Sequence, residues 1–203
     1  MEAAEAASPA FTFANFGTIA HAYMEARVLG CEPAVPVREW IGLNERFIPD
    51  VRMESWEGGT NREKKIARVR ALCGDMAAKF AESSIYKEAA ASDWKKTEYS
   101  FRSLLDKSFV TGGNAADSAD DYADELIAVG QIDLVYKNQA ESLFRYTIVD
   151  YKTNQTVEPS LYYKQLACYR KAVSAMLGCD EREIRCVLYY LRFARAVDVT
   201  GQI

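Results

Sequence analysis

The stretch Phe144-Arg145-Tyr146-Thr147-Ile148-Val149 is rich in aromatic and β-branched residues, and it ends on Asp150-Tyr151-Lys152-Thr153. Such a run favours a pleated, half-buried strand, so the chain must build a sheet with charged groups at a strand end. Strand alternation puts Asp150 and Lys152 on one face, about 6.6 Å apart along the strand at ~3.3 Å per residue. Seventeen residues before Asp150, Asp133 sits inside a second strand-like run from Leu126 to Tyr136. Between the runs lies Lys137-Asn138-Gln139-Ala140-Glu141-Ser142, polar and turn-prone. The simplest connection is an antiparallel hairpin, which can bring Asp133 beside Asp150.

Aspartate is disfavoured within β structure, yet Asp133 is embedded in Gln131-Ile132-Asp133-Leu134-Val135. A carboxylate among apolar neighbours needs a counter-charge or a metal. Two carboxylates and a lysine at one sheet edge can hold a divalent cation and activate a water for phosphodiester hydrolysis. Lys152 then either closes a surface ion pair or orients the attacking water and stabilises charge on the phosphate.

His21 is the single histidine of the chain. Around it, Phe16, Ile19, Ala20 and Tyr23 recur at helical spacing, while Thr18, His21 and Glu25 fall on the other side. His21 is therefore off the apolar stripe, with a neutral imidazole free to reach a metal. Glu25, one turn later, is a supporting or DNA-facing candidate.

Taken in order, Gly17-Thr18-Ile19-Ala20-His21, Thr97-Glu98-Tyr99-Ser100-Phe101, Gly130-Gln131-Ile132-Asp133, Val149-Asp150-Tyr151-Lys152-Thr153 and Gln165-x-x-x-Tyr169 span most of the chain. The set resembles the signature of PD-(D/E)xK nucleases, in the branch of the C-terminal nuclease domains of RecB/AddA-type helicase-nucleases. The resemblance implies an α/β fold with a restriction-endonuclease-like core, a central mixed sheet flanked by helices. It implies Mg²⁺, with Mn²⁺ as a substitute, held by His21, Asp133, Asp150 and the carbonyl of Tyr151. It gives catalytic roles to Asp133, Asp150 and Lys152, with Gln165 and Tyr169 flanking the site to position DNA or Lys152. Glu98 is a further supporting candidate at a strand start. The implied activity is exonucleolytic DNA hydrolysis in double-strand-break repair and recombination. A stand-alone or phage-type exonuclease and a catalytically silent domain for docking or strand guidance are the rival readings, and the intact Asp–Asp–Lys set speaks against the silent one.

The 203 residues suit one domain with one substantial core, expected over residues 13–203 after a linker or tail at 1–12. No apolar run approaches the roughly 20 residues that span a membrane. The first ten residues lack the features of a signal peptide, so a cytoplasmic protein is expected. The five scattered cysteines form no CxxC pair, which predicts reduced, buried thiols and no iron–sulfur cluster. The net charge is −4, although residues 61–110 carry 11 basic against 7 acidic side chains. Weak DNA affinity of this kind suits single strands delivered by helicase domains upstream in a parent chain, with a second subunit as a further partner.

Elsewhere the pattern predicts a helix over Phe16–Val28 stopped by Gly30, and irregular chain from Glu32 to Gly59 with a short helix around Trp40. A long amphipathic helix follows over Asn61–Ser83, with Ile66, Val69, Leu72, Met76 and Phe80 buried. A strand over Thr97–Val110 and an acidic loop over Thr111–Asp124 come next, then strands near 125–137 and 143–153. A helix runs from Pro159 to Gly178, and one or two strands over Glu183–Val199 close the sheet.

Overall fold

The computed structural model describes residues 14–36, 61–106 and 125–203. The expected tail at 1–12, the short helix around Trp40 and the acidic loop at 111–124 lie outside them.

Five strands form one mixed sheet in chain order: β1 (Lys95–Asp106), β2 (Glu125–Lys137), β3 (Tyr146–Lys152), β4 (Ile184–Tyr190) and β5 (Arg195–Asp198). The first three pair antiparallel, β3 and β4 pair parallel, and β5 returns antiparallel to β4. A parallel neighbour needs a crossover, here supplied by helix α4 (Tyr163–Leu177). The other α-helices among the described residues are α1 (Ala14–Leu29), α2 (Asn61–Glu82) and α3 (Ser84–Ala91). The expected α/β architecture is what the chain adopts.

Two apolar clusters sandwich the sheet. On one face Phe16, Ile19, Ala20 and Met24 of α1 pack with Val69, Cys73, Met76 and Phe80 of α2 over Leu134, Tyr136, Val149, Tyr151, Val187 and Tyr189. On the other, Leu166, Tyr169, Ala172 and Val173 of α4 cover Phe101, Ile132, Val135, Ile148, Cys186, Leu188 and Tyr190. Alternation along β3 is regular, with Ile148 under α4 while Val149 and Tyr151 lie under α1 and α2.

Local signals explain the helix ends. Gly30 turns left-handed (φ 69°) and the Cys31 N–H closes on the Ala26 carbonyl, a glycine stop. Ser83 ends α2 and caps α3, accepting from the Tyr86 N–H at 3.1 Å. The amphipathic pattern over 61–83 does not reveal this second helix, because Ser83 breaks the axis without breaking the apolar sequence. Three further expectations are adjusted. The strand ending at Lys152 begins at Tyr146 rather than 143. A 3₁₀ turn over Pro159–Tyr162 precedes α4, which is capped by left-handed Gly178 as expected. Only Cys73 and Cys186 are buried thiols; Cys31 is exposed, and Cys168 and Cys179 are half-buried.

Candidate active site

The site forms where regular pairing stops. Strands β2 and β3 are paired from Lys137↔Tyr146 to Leu134↔Val149 and no further, while β3 stays paired with β4 through Lys152↔Tyr190. The two strands therefore part at Asp133 and Asp150. Freed from the ladder, the Tyr151 N–H donates to Asp133 Oδ2 at 2.6 Å. A side chain takes the place of a strand carbonyl, so the buried amide keeps a partner.

On its other side β2 is disturbed as well. The pairing with β1 skips Glu98 and Asp133, between Thr97↔Leu134 and Tyr99↔Ile132. Glu98 has φ 46°, a strained conformation for a residue with a Cβ, and its carbonyl accepts from Gln131 Nε2 at 3.0 Å. Ile132 and Leu134, two apart, should share a face; instead Ile132 packs beneath α4 and Leu134 beneath α1. The strand changes face at Asp133.

This break delivers Asp133 to α1. His21 Nδ1 lies 3.1 Å from Asp133 Oδ1, and His21 Nε2 lies 3.1 Å from the Tyr151 carbonyl. With oxygen acceptors at both ring nitrogens, only the doubly protonated ring donates to both. Burial opposes that charge, but Asp133 first, then Asp150 and Glu98, outweigh it and raise the His21 pKa above 6.5. Ligand atoms of His21, Glu98 and Asp133 lie within 4.8 Å of one another, a group able to hold a metal ion. Burial, Asp133 and Glu25, against the pull of His21, raise the Glu98 pKa as well. Glu25 accepts from Thr97 Oγ1 at 2.9 Å, tying α1 to β1 beside Glu98.

The second half of the site is built on the regular strand. Asp150 is 3% exposed, and Lys152 Nζ lies 2.6 Å from its Oδ2. Burial, then the neighbouring Asp133 charge, push the Asp150 carboxyl up to about 6 despite Lys152 and His21. Lys152 Nζ also donates to Gln165 Oε1 at 3.0 Å, and Gln165 Nε2 donates to the Tyr169 hydroxyl at 2.7 Å. Tyr169 is at once core and site, its ring against Phe101 with centroids 5.6 Å apart. Phe101 in turn lies over Gly130, where an added Cβ would stand 2.6 Å from the ring.

The structure thus brings these residues to the parted strands in two groups, with Glu25 outside both, on Thr97. His21, Glu98 and Asp133 form one, with the Tyr151 carbonyl; Asp150, Lys152, Gln165 and Tyr169 form the other. The third member of the close ligand group is Glu98, which the sequence offers only as a supporting candidate at a strand start. Its signal is position, directly opposite Asp133. Tyr162, which closes the 3₁₀ turn before α4, also faces the site, with Lys152 Nζ 3.8 Å from its ring centroid.

The pattern of the PD-(D/E)XK nuclease superfamily matches residues 2–201. The chain belongs to this superfamily. No curated protein gives a significant match, so the assignment rests on the superfamily pattern together with the fold. Nucleases of the superfamily use divalent metal ions, and the donors here suit one: hard carboxylate oxygens, a backbone carbonyl and an imidazole. Asp150 adds an independent sign, since a carboxyl whose charge is disfavoured by burial and by Asp133 gains from a nearby cation. Among the described residues, no helix is long and apolar enough to cross a membrane.

Proposed function

We propose that this nuclease is a Mg²⁺-dependent deoxyribonuclease, an exonuclease module of the RecB/AddA type that processes double-strand breaks in the cytoplasm. In this reading residues 13–203 are the nuclease domain, residues 1–12 are a linker or tail, and helicase domains feed the site single strands. Asp150-Tyr151-Lys152 has the (D/E)XK form, and Ile132 precedes Asp133 where the pattern's name has P. The observation that carries the reading is the parting of β2 and β3, which sets His21, Asp133 and the Tyr151 carbonyl beside the Asp150–Lys152 pair.

The imidazole, expected from the sequence to be neutral and free, is instead engaged at both nitrogens. Once it gives up a proton to an arriving cation, His21, Asp133, Asp150 and the Tyr151 carbonyl would hold the metal, with Glu98 in support. Bound there, a divalent ion supplies Lewis acidity for the phosphate and lowers the pKa of an attacking water. Lys152 keeps its ammonium where negative charge grows on the phosphate. Gln165 fixes that ammonium, and Tyr169 fixes Gln165. Asp133, anchored by the Tyr151 amide, holds the two strands at a set separation.

The test is cleavage of end-labelled single-stranded DNA with Mg²⁺ and with EDTA. Mononucleotide release from one end that stops in EDTA supports the reading, and a ladder of internal cuts contradicts exonuclease action. With a net charge of −4, the chain should bind DNA weakly in EDTA and lose cleavage steeply with salt. Tight, salt-insensitive binding would favour a stand-alone nuclease.

A further inference from the structure

Lys152 has three neighbours that fix its ammonium. Two are polar: the Asp150 carboxylate at 2.6 Å and the Gln165 amide oxygen at 3.0 Å. The third is the face of Tyr162, with Nζ 3.8 Å from the ring centroid. At that distance the ammonium sits on the negative face of the ring quadrupole. The Lys152 side chain is 12% exposed, so water screens this attraction little.

We propose that Tyr162 is a positioning residue that holds the Lys152 ammonium through its ring face. The proposal rests on the nuclease reading above. Its logic comes from competition. Any cation that takes the Asp150 carboxylate draws away the charge that holds Lys152 and also repels the ammonium. The Gln165 amide and the Tyr162 ring are uncharged, so they keep their hold when Asp150 is otherwise engaged. Gln165 supplies direction through one hydrogen bond, and Tyr162 supplies attraction from a second side.

The backbone suits the role. Tyr162 closes the 3₁₀ turn that begins at Pro159 and leads directly into α4, three residues before Gln165. One short segment thus delivers both neutral restraints. The ring also packs against the apolar cluster beneath α4, so its position is set from behind. Packing alone is satisfied by any apolar side chain of similar volume; holding a cation needs an aromatic face.

That contrast defines the experiment, made on the full chain. Cleavage of labelled single-stranded DNA with Mg²⁺ is measured for wild type, Tyr162→Phe and Tyr162→Leu. Tyr162→Leu should lower kcat roughly five- to thirtyfold, the rate equivalent of a lost, partly desolvated cation–π contact. KM and Mn²⁺ affinity by calorimetry should stay within about twofold, because neither substrate nor metal contacts change. Tyr162→Phe, which keeps the ring face, should cleave as wild type does. In metal-free protein, NMR should show one lysine CεH₂ signal shifted upfield by the ring, kept in Tyr162→Phe and lost in Tyr162→Leu. Tyr162→Met repeats the test where the leucine variant does not fold.

A leucine variant with wild-type kcat overturns the proposal, as does a phenylalanine variant as impaired as the leucine one. A wild-type chain that cleaves no DNA with any divalent ion overturns the nuclease reading instead. The upfield lysine signal still reports then whether the Lys152–Tyr162 contact exists.

Discussion

The two halves of the site are made in opposite ways. The Asp150–Lys152 half lies on a strand whose ladder with β4 is unbroken, Asp150↔Leu188 through Lys152↔Tyr190, and its geometry follows from alternation alone. The Asp133 half depends on irregularity: a residue at φ 46°, a skipped pair, and a strand that changes face between Ile132 and Leu134. Regular structure suffices to put an acid beside a base on one face. Bringing a second acid to a histidine on a helix across the sheet requires breaking the strand. In the proposed reading both halves hold the metal, Asp150 from the regular side and Asp133 with His21 from the irregular one, while Lys152 of the regular half serves the phosphate.

The largest expected effect separates these tasks. Lys152→Ala should lower kcat by about 10²–10³-fold, with Mn²⁺ affinity unchanged or improved, because a buried cation beside Asp150 is removed. Asp133→Ala should lose cleavage and metal affinity together, and calorimetry distinguishes the two cases. Equal metal affinity in Asp133→Ala and wild type would break the division of labour.

A smaller effect should run through the packing that links the halves. In Gly130→Ala the new Cβ would stand 2.6 Å from the Phe101 ring, so the ring must move. Phe101 carries Tyr169, Tyr169 carries Gln165, and Gln165 carries Lys152. Destabilisation of about 1–3 kcal/mol is expected from the overpacking, measured by denaturant unfolding. A severalfold fall in kcat with unchanged Mn²⁺ affinity should accompany it, since the displaced residues serve the regular half. Loss of metal affinity instead would place Gly130 with the other half.

The gentlest effect is on pH dependence without metal. His21, with its pKa raised above 6.5, contributes stability that is present below 6.5 and lost as pH rises through the raised value. Asp150, shifted from 3.8 to about 6, binds its proton more tightly when folded, so stability falls as pH rises through that interval. Both shifts act in one direction. The melting temperature of the metal-free protein should decline from pH 4 towards neutrality and beyond, and Mn²⁺ should restore it at the high end. His21→Gln should flatten the upper part of that decline, and an unchanged profile would show that His21 carries no such charge.

The same contrast explains what the sequence reveals. The pairing of Asp150 with Lys152, the hairpin that precedes it, the crossover helix and its Gly178 cap are all legible, because each follows from a period or a local turn signal. Asp133 is legible as a misfit, an acid among strand formers. How it reaches His21 is not, since strain at Glu98 is imposed by neighbours rather than by its own residue type. Glu98 is legible only as a supporting candidate at a strand start until the register puts it opposite Asp133. Tyr162 hides for the converse reason: an aromatic residue at helical spacing reads as core, and only the end of Lys152 shows its second use. The break at Ser83 is hidden by the continuous apolar pattern around it.

Whether the parted strands let both halves serve one ion is decided by a crystal structure with Mn²⁺. The anomalous peak should lie about 2.0–2.6 Å from a His21 nitrogen, an Asp133 oxygen, an Asp150 oxygen and the Tyr151 carbonyl, with Lys152 still on Gln165. A peak held by His21, Glu98 and Asp133 alone, with Asp150 remaining on Lys152, would instead make the two halves separate sites.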